Sequence, residues 1–430
     1  MKHERIAIID GIRTPIAKAG GLLKNIQAET LGAHVVQELA LRVGIDYDRY
    51  DEIIIGNVSQ PVHAANIARV IGLKAGFGEK IPAYTVHRNC ASGMESISTA
   101  TDKILSGQGE IYMCGGVESM SNIPLLFSPA LTGVFEGLFK SRSVSEKLKN
   151  ISHLRPAFLK PIIGLMQGLT DPTNGLMMGS TAEILAQDFG ISREAQDIYA
   201  SMSHNKAQAA QMAGILAQEI VPIVYDALRA KVMMDDDGIR YDQSPDKLAK
   251  LQPFFDRKNG TVTAGNSSQV SDAAAAVVVM SESKAKELGL EPLGYLSAYA
   301  YAGLDPSRMG LGPVYSSAKI FQQTGLGLKD MELIEMNEAF AVQVLANLKA
   351  FDSVAYAKQH LNGTTALGSI DESILNIHGG AVALGHPVGM TGTRIVIHLL
   401  KALRQQNKNR GLATLCIGGG QGASMILEVS

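Results

Sequence analysis

Two of the three cysteines in this chain lie in short glycine-containing segments that predict a reactive site. Cys90 stands in Asn-Cys-Ala-Ser-Gly, and Cys416 begins Cys-Ile-Gly-Gly-Gly. His386 stands in a third such segment, Gly-His-Pro-Val-Gly. Glycine and other small residues let the backbone come close to a ligand. The combination therefore predicts cysteine-based acyl chemistry with a nucleophile, a base and a second thiol.

Cys90 follows an extended apolar run and precedes a predicted helix over residues 93–105. A thiol at a helix N-terminus meets the positive end of the dipole and free backbone N–H groups. Both favour the thiolate, so we expect a pKa below the ordinary cysteine value of about 8.5. The alternative interpretation is a buried structural cysteine. Cys114, which ends an apolar strand with no base in its motif, is predicted to be structural.

His386 is the predicted base. It lies between a glycine and Pro387, which fixes the turn, so its ring is expected to face a cleft. The proton affinity of imidazole suits activation of a thiol near neutral pH. His87, which is closer to Cys90 in sequence, is a competing candidate.

Two further segments carry polar groups with candidate roles. The glycine run after Cys416 is followed by a predicted strand over residues 423–429 rather than by a helix, so we reject NAD binding. Its backbone N–H groups are expected to face a developing oxyanion. Asn337 opens Asn-Glu-Ala-Phe-Ala, and its amide is predicted to hold a water or a carbonyl, or to cap the following helix.

The elements that must position these residues look duplicated. Strand-like apolar runs alternate with helical patterns, which is typical of α/β proteins. Residues 31–57 and 317–337 each read as helix, glycine turn, buried strand and asparagine. The segments after Cys90 and His386 each read as helix, glycine, strand and a cysteine with glycines. We expect two homologous mixed-sheet halves with a cleft where strand ends and helix N-termini converge.

Residues 121–250 differ in character, being rich in proline, serine and charged residues. Ser192 is predicted to cap a helix that ends at Met212. We therefore predict an N-terminal half (1–120 plus 251–285), an inserted loop domain (121–250) over the cleft and a C-terminal half (286–430).

The composition excludes several classes of protein. A chain of 430 residues with 46% hydrophobic content predicts two or three domains. The net charge of −2 gives no argument for nucleic acid. Three cysteines cannot form a disulfide framework, and a reducing cytosol fits better. The start of the chain does not read as a signal peptide, and no apolar run is long enough to predict a membrane span.

Taken together, the motifs resemble the thiolase superfamily over essentially the whole chain. Its four signatures are matched in order at residues 89–93, 337–341, 385–389 and 416–422, and residues 13–15 and 260–266 match as well. The resemblance implies an α/β thiolase fold, with five αβαβα layers and a loop domain, in a homodimer or homotetramer. It also implies coenzyme A as a substrate, with no resident cofactor and no metal.

The resemblance also implies residue roles. Cys90 would be the acylated nucleophile, His386 would activate it, and Cys416 would be a second acid/base. His386 and a water held by Asn337 would form one oxyanion hole, and the backbone N–H groups of Cys90 and Gly418 would form the other. The residues implied to contact the pantetheine and acyl parts of the substrate are Ser268, Met178 and Phe340.

The implied activity is that of a 3-ketoacyl-CoA thiolase of fatty-acid β-oxidation, working through an acyl-enzyme. The alternatives are a biosynthetic acetyl-CoA acetyltransferase and a non-catalytic structural subunit of the same fold. A ketoacyl synthase would need a second catalytic histidine where Asn337 stands and would lack the Cys416 motif.

Two regions bear on the subgroup. The insertion between the third and second signatures, residues 342–385, resembles β subunits of fatty-acid-oxidising trifunctional complexes, although those usually carry histidine where Asn337 stands. Residues 135–160 are basic and amphipathic, a pattern typical of a membrane surface or a partner such as a hydratase/dehydrogenase α subunit. The other interpretation is a solvated face packed on its own core. We expect a cytoplasmic, bacterial-type protein, with peripheral membrane contact as a candidate.

Overall fold

The computed structural model describes residues 4–430. Residues 1–3 belong to the start of the chain on which the signal-peptide prediction rests, and they lie outside the described residues. The strands are β1 (Ile6–Arg13), β2 (Ala17–Lys18), β3 (Glu52–Gly56), β4 (Ala83–Val86), β5 (Ile111–Ser119), β6 (Leu125–Leu126), β7 (Ile162–Ile163), β8 (Ile223–Asp226), β9 (Lys231–Met233), β10 (Ser271–Ser281), β11 (Gly294–Gly303), β12 (Leu333–Met336), β13 (Arg410–Ile417) and β14 (Gln421–Glu428). The helices are α1 (Ala28–Val43), α2 (Ile67–Lys74), α3 (Ser92–Leu105), α4 (Pro129–Lys140), α5 (Val144–Ser152), α6 (Gly164–Gly168), α7 (Met178–Asp188), α8 (Arg193–Met212), α9 (Pro245–Leu248), α10 (Glu282–Glu287), α11 (Gly312–Thr324), α12 (Ala341–Phe351), α13 (Val354–His360), α14 (Ala381–Leu384) and α15 (Val388–Gln405).

The main sheet has the order β12-β13-β14-β11-β1-β10-β5-β3-β4, with β2 beside β10. Without the short β2, the N-terminal half contributes β1, β3, β4, β5 and β10, which in this chain order run third-second-fourth-fifth-first across the sheet. The C-terminal half contributes β11 to β14. Counted as first, second, fourth and fifth, they run second-fourth-fifth-first. The third position of the C-terminal part is taken by Leu375, which forms a parallel bridge with Ile334. The prediction of two homologous mixed-sheet halves is confirmed. The halves are joined edge to edge by antiparallel pairing of β1 with β11.

Helices cover these halves in layers. The α1 and α2 helices pack on the outer face of the N-terminal half, and α11 and α12 pack on that of the C-terminal half. Between the halves, α3 packs against α15, and both contribute to one apolar cluster with the inner strand faces. The five αβαβα layers are thus present. Strands β5 and β10 are buried along their whole length because helices cover both faces.

The two central helices approach closely at a pair of glycines. A Cβ atom added to Gly93 would lie 2.6 Å from the backbone N of Thr393, and one added to Gly392 would lie 2.6 Å from the backbone N of Met94. Ordinary side chains would push the helices apart. The absence of side chains at this crossing brings the N-termini of α3 and α15 together, and these follow Cys90 and His386.

Most predicted elements are present with shifted ends. The helix after His386 begins at Val388 rather than at residue 391. Ser192 caps α8 as predicted, because its Oγ accepts the N–H of Ala195 at 3.1 Å. Cys114, however, lies inside β5 rather than at its end, since the strand continues to Ser119. Residues 121–250 hold α4 to α9 and β6 to β9, and their assignment as a separate domain stays a prediction. None of the helices in residues 4–430 has both the length and the apolar character that a membrane crossing needs.

Candidate active site

A tight turn presents Cys90 at the start of α3. Asn89 has a positive φ of 45°, a conformation that asparagine adopts more readily than most residues. The Ser92 hydroxyl closes the turn by donating to Asn89 O at 2.7 Å and accepting the N–H of Arg88 at 2.9 Å. Cys90 is half-buried there.

The Cys90 turn is tied to the glycine run that follows Cys416. Asn89 Nδ2 donates to the backbone O of Gly418 at 2.7 Å. The backbone N–H groups of Gly418 and of Cys90 itself both lower the pKa of the Cys90 thiol, as donors close to the sulfur do. Backbone N–H groups from both halves of the chain therefore lie near the predicted nucleophile, where they are available to a developing oxyanion.

The net pKa of Cys90 contradicts the prediction. Burial raises the pKa of the thiol, and this effect outweighs the N–H groups of Gly418 and Cys90, which lower it. The nearby carboxyl of Glu118 raises the pKa further. The predicted helix N-terminal donors are present, but desolvation of the thiolate is the larger effect. The resting thiol is therefore neutral at pH 7 and needs a base.

His386 has the geometry of such a base. The Thr391 hydroxyl donates its one hydrogen to Pro387 O at 3.0 Å and lies 2.7 Å from Nδ1 of His386. A ring proton on Nδ1 is donated to Thr391 Oγ1 in this arrangement, and that tautomer leaves the Nε2 lone pair free. Burial, with a smaller contribution from the Arg394 charge, lowers the pKa of His386 to about 4. The ring is neutral at pH 7, and its buried Nε2 has no hydrogen-bond partner within the described part of the chain.

Cys416 is almost completely buried, at 1% exposure, near the end of β13. Burial raises the pKa of this thiol, and the proximity of Cys90 raises it further. Cys416 packs in a small cluster with Met309 and Ala339, against which Met178 and Phe340 also pack. The two cysteines and two of the three predicted substrate contacts thus share one location.

Asn337 lies beside this cluster. Its backbone N–H donates to Thr414 O at 2.9 Å, and its side chain is 1% exposed. Neither polar atom of the side-chain amide has a hydrogen-bond partner in residues 4–430. Helix α12 begins at Ala341 with Phe340 as its N-cap, so the interpretation of Asn337 as a helix cap is wrong. Leaving a buried amide unpaired costs about 1–3 kcal/mol, which argues for a ligand-directed role.

The two remaining candidates have different surroundings. Ser268 donates its backbone N–H to Ala339 O at 2.9 Å, beside Asn337. His87, the competing base, is exposed, and its Nδ1 accepts the N–H of Asn89 at 3.4 Å. A solvated ring that already accepts a backbone N–H is the weaker candidate for deprotonating Cys90.

Sequence reasoning missed two buried acids next to the site. Glu118 accepts the N–H of Gly389 at 2.9 Å, at the start of α15, and also the N–H groups of Val58 and Ser59. Burial raises the pKa of Glu118 to about 7 against these donors. Glu338, next to Asn337, is also buried. Glu118 lies inside β5 and Glu338 lies two residues after β12, so the available signal was an acidic residue within or just beyond an apolar strand. In residues 4–430, no group of three or more His, Cys, Asp or Glu side chains is arranged to hold a metal ion.

Comparison with known protein families decides the identity of the fold. The N-terminal thiolase domain model matches residues 6–283, and the C-terminal thiolase domain model matches residues 290–429. The chain belongs to the thiolase family. This thiolase is 40% identical over 430 residues to the 3-ketoacyl-CoA thiolase of Pectobacterium atrosepticum, a match that covers 100% of this chain and 98% of the relative. It is 42% identical over 427 residues to that of Yersinia pestis strain Pestoides F, covering 99% and 97%.

Solved structures agree with this assignment. The acetyl-CoA acetyltransferase of Bacillus anthracis superposes on the thiolase with a TM-score of 0.87 at 36% identity, covering 99% of this chain and 98% of that one. The human mitochondrial 3-ketoacyl-CoA thiolase in complex with CoA superposes with a TM-score of 0.85 at 35% identity, over the same fractions. The predicted family and fold are confirmed, and the chain is an enzyme of the acyltransferase class.

Proposed function

We propose that this thiolase cleaves 3-ketoacyl-CoA with coenzyme A, giving acetyl-CoA and an acyl-CoA two carbons shorter, in fatty-acid β-oxidation. The observation that carries the proposal is the 2.7 Å hydrogen bond from Asn89 Nδ2 to Gly418 O, which holds the Cys90 turn against the glycine run after Cys416. It joins a nucleophile from one half to an oxyanion donor and a second thiol, Cys416, from the other. The names of the relatives support the substrate class.

In the first half-reaction, His386 Nε2 takes the proton of Cys90 as the sulfur attacks the 3-keto carbon. The new oxyanion is stabilised by the N–H groups of Cys90 and Gly418. The bond between carbons 2 and 3 then breaks, leaving the acyl group on Cys90 and an acetyl-CoA enolate. The enolate oxygen faces protonated His386 and a water held by Asn337, and the Cys416 thiol protonates its carbon.

In the second half-reaction, the Cys416 thiolate takes the proton of an incoming CoA thiol. The CoA thiolate attacks the acyl group on Cys90, again with the oxyanion at the two backbone N–H groups. Cys90 leaves as a thiolate and recovers its proton from His386. The cycle returns every residue to its starting state. Ser268, Met178 and Phe340 are proposed to contact the pantetheine and acyl parts of the substrate.

The test is thiolysis of 3-ketoacyl-CoAs of graded chain length by wild type and by Cys90→Ala. We expect the variant to lose activity by orders of magnitude with its circular dichroism and melting temperature retained. Unchanged turnover in a folded variant would exclude Cys90 as the nucleophile and with it the proposed mechanism.

The biosynthetic alternative is favoured by one observation, the likeness to an acetyl-CoA acetyltransferase. It predicts the highest kcat/KM with acetoacetyl-CoA and a steep decline with longer chains. The β-oxidation proposal instead predicts sustained kcat/KM as the acyl chain lengthens. The same graded series therefore separates the two functions.

A second proposal concerns the 135–160 segment, which we infer to contact an anionic membrane surface. Most of its large apolar side chains are exposed, with Phe139 92% exposed, while Leu138 and Phe158 are half-buried. The other exposed apolar residues are Phe135, Val144, Leu148, Ile151, Leu154 and Leu159. The exposed basic residues are Lys140, Arg142, Lys147, Lys149, Arg155 and Lys160, against Glu136 and Glu146. Exposed apolar groups among cations suit an anionic lipid surface.

Cosedimentation with vesicles of anionic or neutral lipid tests this proposal. We expect wild type to bind anionic vesicles and Lys147→Glu/Lys149→Glu to bind them much less. A matched control, Lys329→Glu/Lys358→Glu, changes the same charge on a different exposed surface and should bind like wild type. Equal binding by all three proteins contradicts the proposal, and salt-insensitive capture of an α subunit instead would assign the surface to that partner. Cytoplasmic location and a homodimer or homotetramer remain the proposed context, and light scattering measures the latter.

A further inference from the structure

The buried carboxylate of Glu338 joins several segments of the chain. Its Oε1 accepts the Tyr199 hydroxyl and Asn376 Nδ2, each at 2.9 Å. Its Oε2 accepts the Ser203 hydroxyl at 2.6 Å and the backbone N–H of Val382 at 3.2 Å. Glu338 is 1% exposed. All four contacts are donors, so the carboxylate is fully engaged.

These donors connect the two ends of the candidate site. Glu338 directly follows Asn337, at the end of β12. Val382 lies in α14, the short helix that leads into His386. Asn376 strengthens the connection, because its amide also pairs with the backbone of Met336 through two hydrogen bonds of 2.9 Å. One carboxylate therefore links the segment that carries Asn337 to the segment that carries His386.

Asn337 depends on its backbone for its position. Its side-chain amide has no hydrogen-bond partner in residues 4–430, and neither has His386 Nε2. The Asn337 amide is therefore held by its backbone alone, whereas the His386 ring is held by its backbone and by the Thr391 hydroxyl. We propose that Glu338 is a positioning residue that fixes Asn337 and His386 relative to each other, and so sets the geometry of the oxyanion hole that they form. This rests on the proposed function.

The pattern of donors explains why an acid is required. Each oxygen of Glu338 faces one hydroxyl that can rotate and one N–H that cannot, namely Asn376 Nδ2 or the Val382 N–H. In Glu338→Gln, an NH2 group replaces one of the two oxygens. In either orientation of the amide, this NH2 faces one of the two fixed N–H groups, so that two donors meet without an acceptor. The space is also closed, since a Cβ atom at Gly380 would lie 2.5 Å from Glu338 Cδ. The amide variant therefore separates the two segments.

The test is a double-mutant cycle in thiolysis, made of Glu338→Gln, Asn337→Ala and both together. A displacement of about 1 Å in a positioned group costs about 100-fold in rate, so we expect Glu338→Gln to lower kcat by about this factor with KM little changed. Since Glu338 acts through the oxyanion hole, its substitution should cost under about 3-fold once Asn337 is alanine.

A matched control is Glu183→Gln, another buried carboxylate that accepts backbone N–H groups, those of Thr261 and Val262. Any loss of kcat in Glu183→Gln should be independent of Asn337, so the double variant with Asn337→Ala should show the product of the two single losses. Full additivity of Glu338→Gln with Asn337→Ala overturns the positioning role. Full activity of Asn337→Ala alone overturns instead the oxyanion hole of the proposed function. Should Glu338→Gln not fold, Ser203→Ala removes one of the four donors, and a wild-type kcat or a fully additive loss in that variant overturns the role.

Discussion

The two halves place an asparagine at the same point and use it differently. Asn57 follows β3, and Asn337 follows β12, the second strand of each half. Asn57 Nδ2 donates to Val117 O at 2.9 Å and to Glu118 at 3.2 Å, so the N-terminal copy holds the fold together. The amide of Asn337 makes no hydrogen bond within residues 4–430. Duplication thus supplied a second polar group that the fold itself does not require.

The cysteines on the fourth strands, β5 and β13, differ in the same way. Cys114 lies in the middle of β5 and packs within the inner apolar core. Cys416 lies one residue before the end of β13, where the glycine run turns toward Cys90. Both thiols have a raised pKa because both are buried. The point at which the strand ends, rather than the residue type, separates the structural thiol from the proposed acid/base.

The largest expected effect comes from substituting these two cysteines by alanine. Loss of a general acid/base costs about 100- to 10,000-fold in rate, so Cys416→Ala should lower kcat for thiolysis within this range. Cys114→Ala leaves a small cavity and should cost about 1 kcal/mol of unfolding free energy, with kcat close to wild type. Steady-state kinetics and urea unfolding of both variants make the measurement. Equal kcat values would remove the distinction between the two strands.

The asparagines give the next largest effect. Loss of one oxyanion-hole donor costs about 100- to 1000-fold in kcat, so Asn337→Ala should show such a loss with little change in stability. Asn57→Ala leaves Val117 O without this donor and should lose about 1–3 kcal/mol of unfolding free energy. A stability loss in Asn337→Ala as large as that in Asn57→Ala would mean that both copies are structural.

The smallest effect is a dependence of stability on pH. His386 has a pKa of about 4 when folded, against 6.5 when unfolded, so between these values the unfolded chain binds a proton that the folded chain does not. Protonation of His386 in the unfolded chain therefore lowers the free energy of unfolding as the pH falls below 6.5. From pH 7 to pH 5 this loss is about 2 kcal/mol. Urea unfolding of wild type and His386→Gln at both pH values isolates it, since the variant should lose about that much less. Identical pH slopes would mean that His386 is not buried as a neutral ring.

Much of the fold and of the candidate site could be predicted because the signals are local. The turn before α3 is marked by asparagine and small residues. The repeated order of helix, strand and asparagine predicted both halves. The predicted division at residues 121 and 250 and the residue roles remain proposals.

Other features depend on contacts that the sequence does not display. The pKa of Cys90 was predicted in the wrong direction because its burial is produced partly by the other half of the chain. Glutamate is usually a surface residue, so the sequence predicts exposed side chains for Glu118 and Glu338. Only the fold shows that both are buried and that each accepts several hydrogen bonds. Cys114 was placed at a strand end because apolar residues give way to glycines there, yet Gly115 and Gly116 continue β5.

Residues from both halves are proposed to make Cys90 the acylated nucleophile. Mixing the enzyme with a 3-ketoacyl-CoA without added CoA, followed by acid quench and peptide mass spectrometry, tests it directly. We expect an acyl group on the peptide that contains Cys90, at close to one per site, and its removal when CoA is added. An acyl group on Cys416 or Cys114 instead, or turnover with no acylated cysteine at any time, would contradict it.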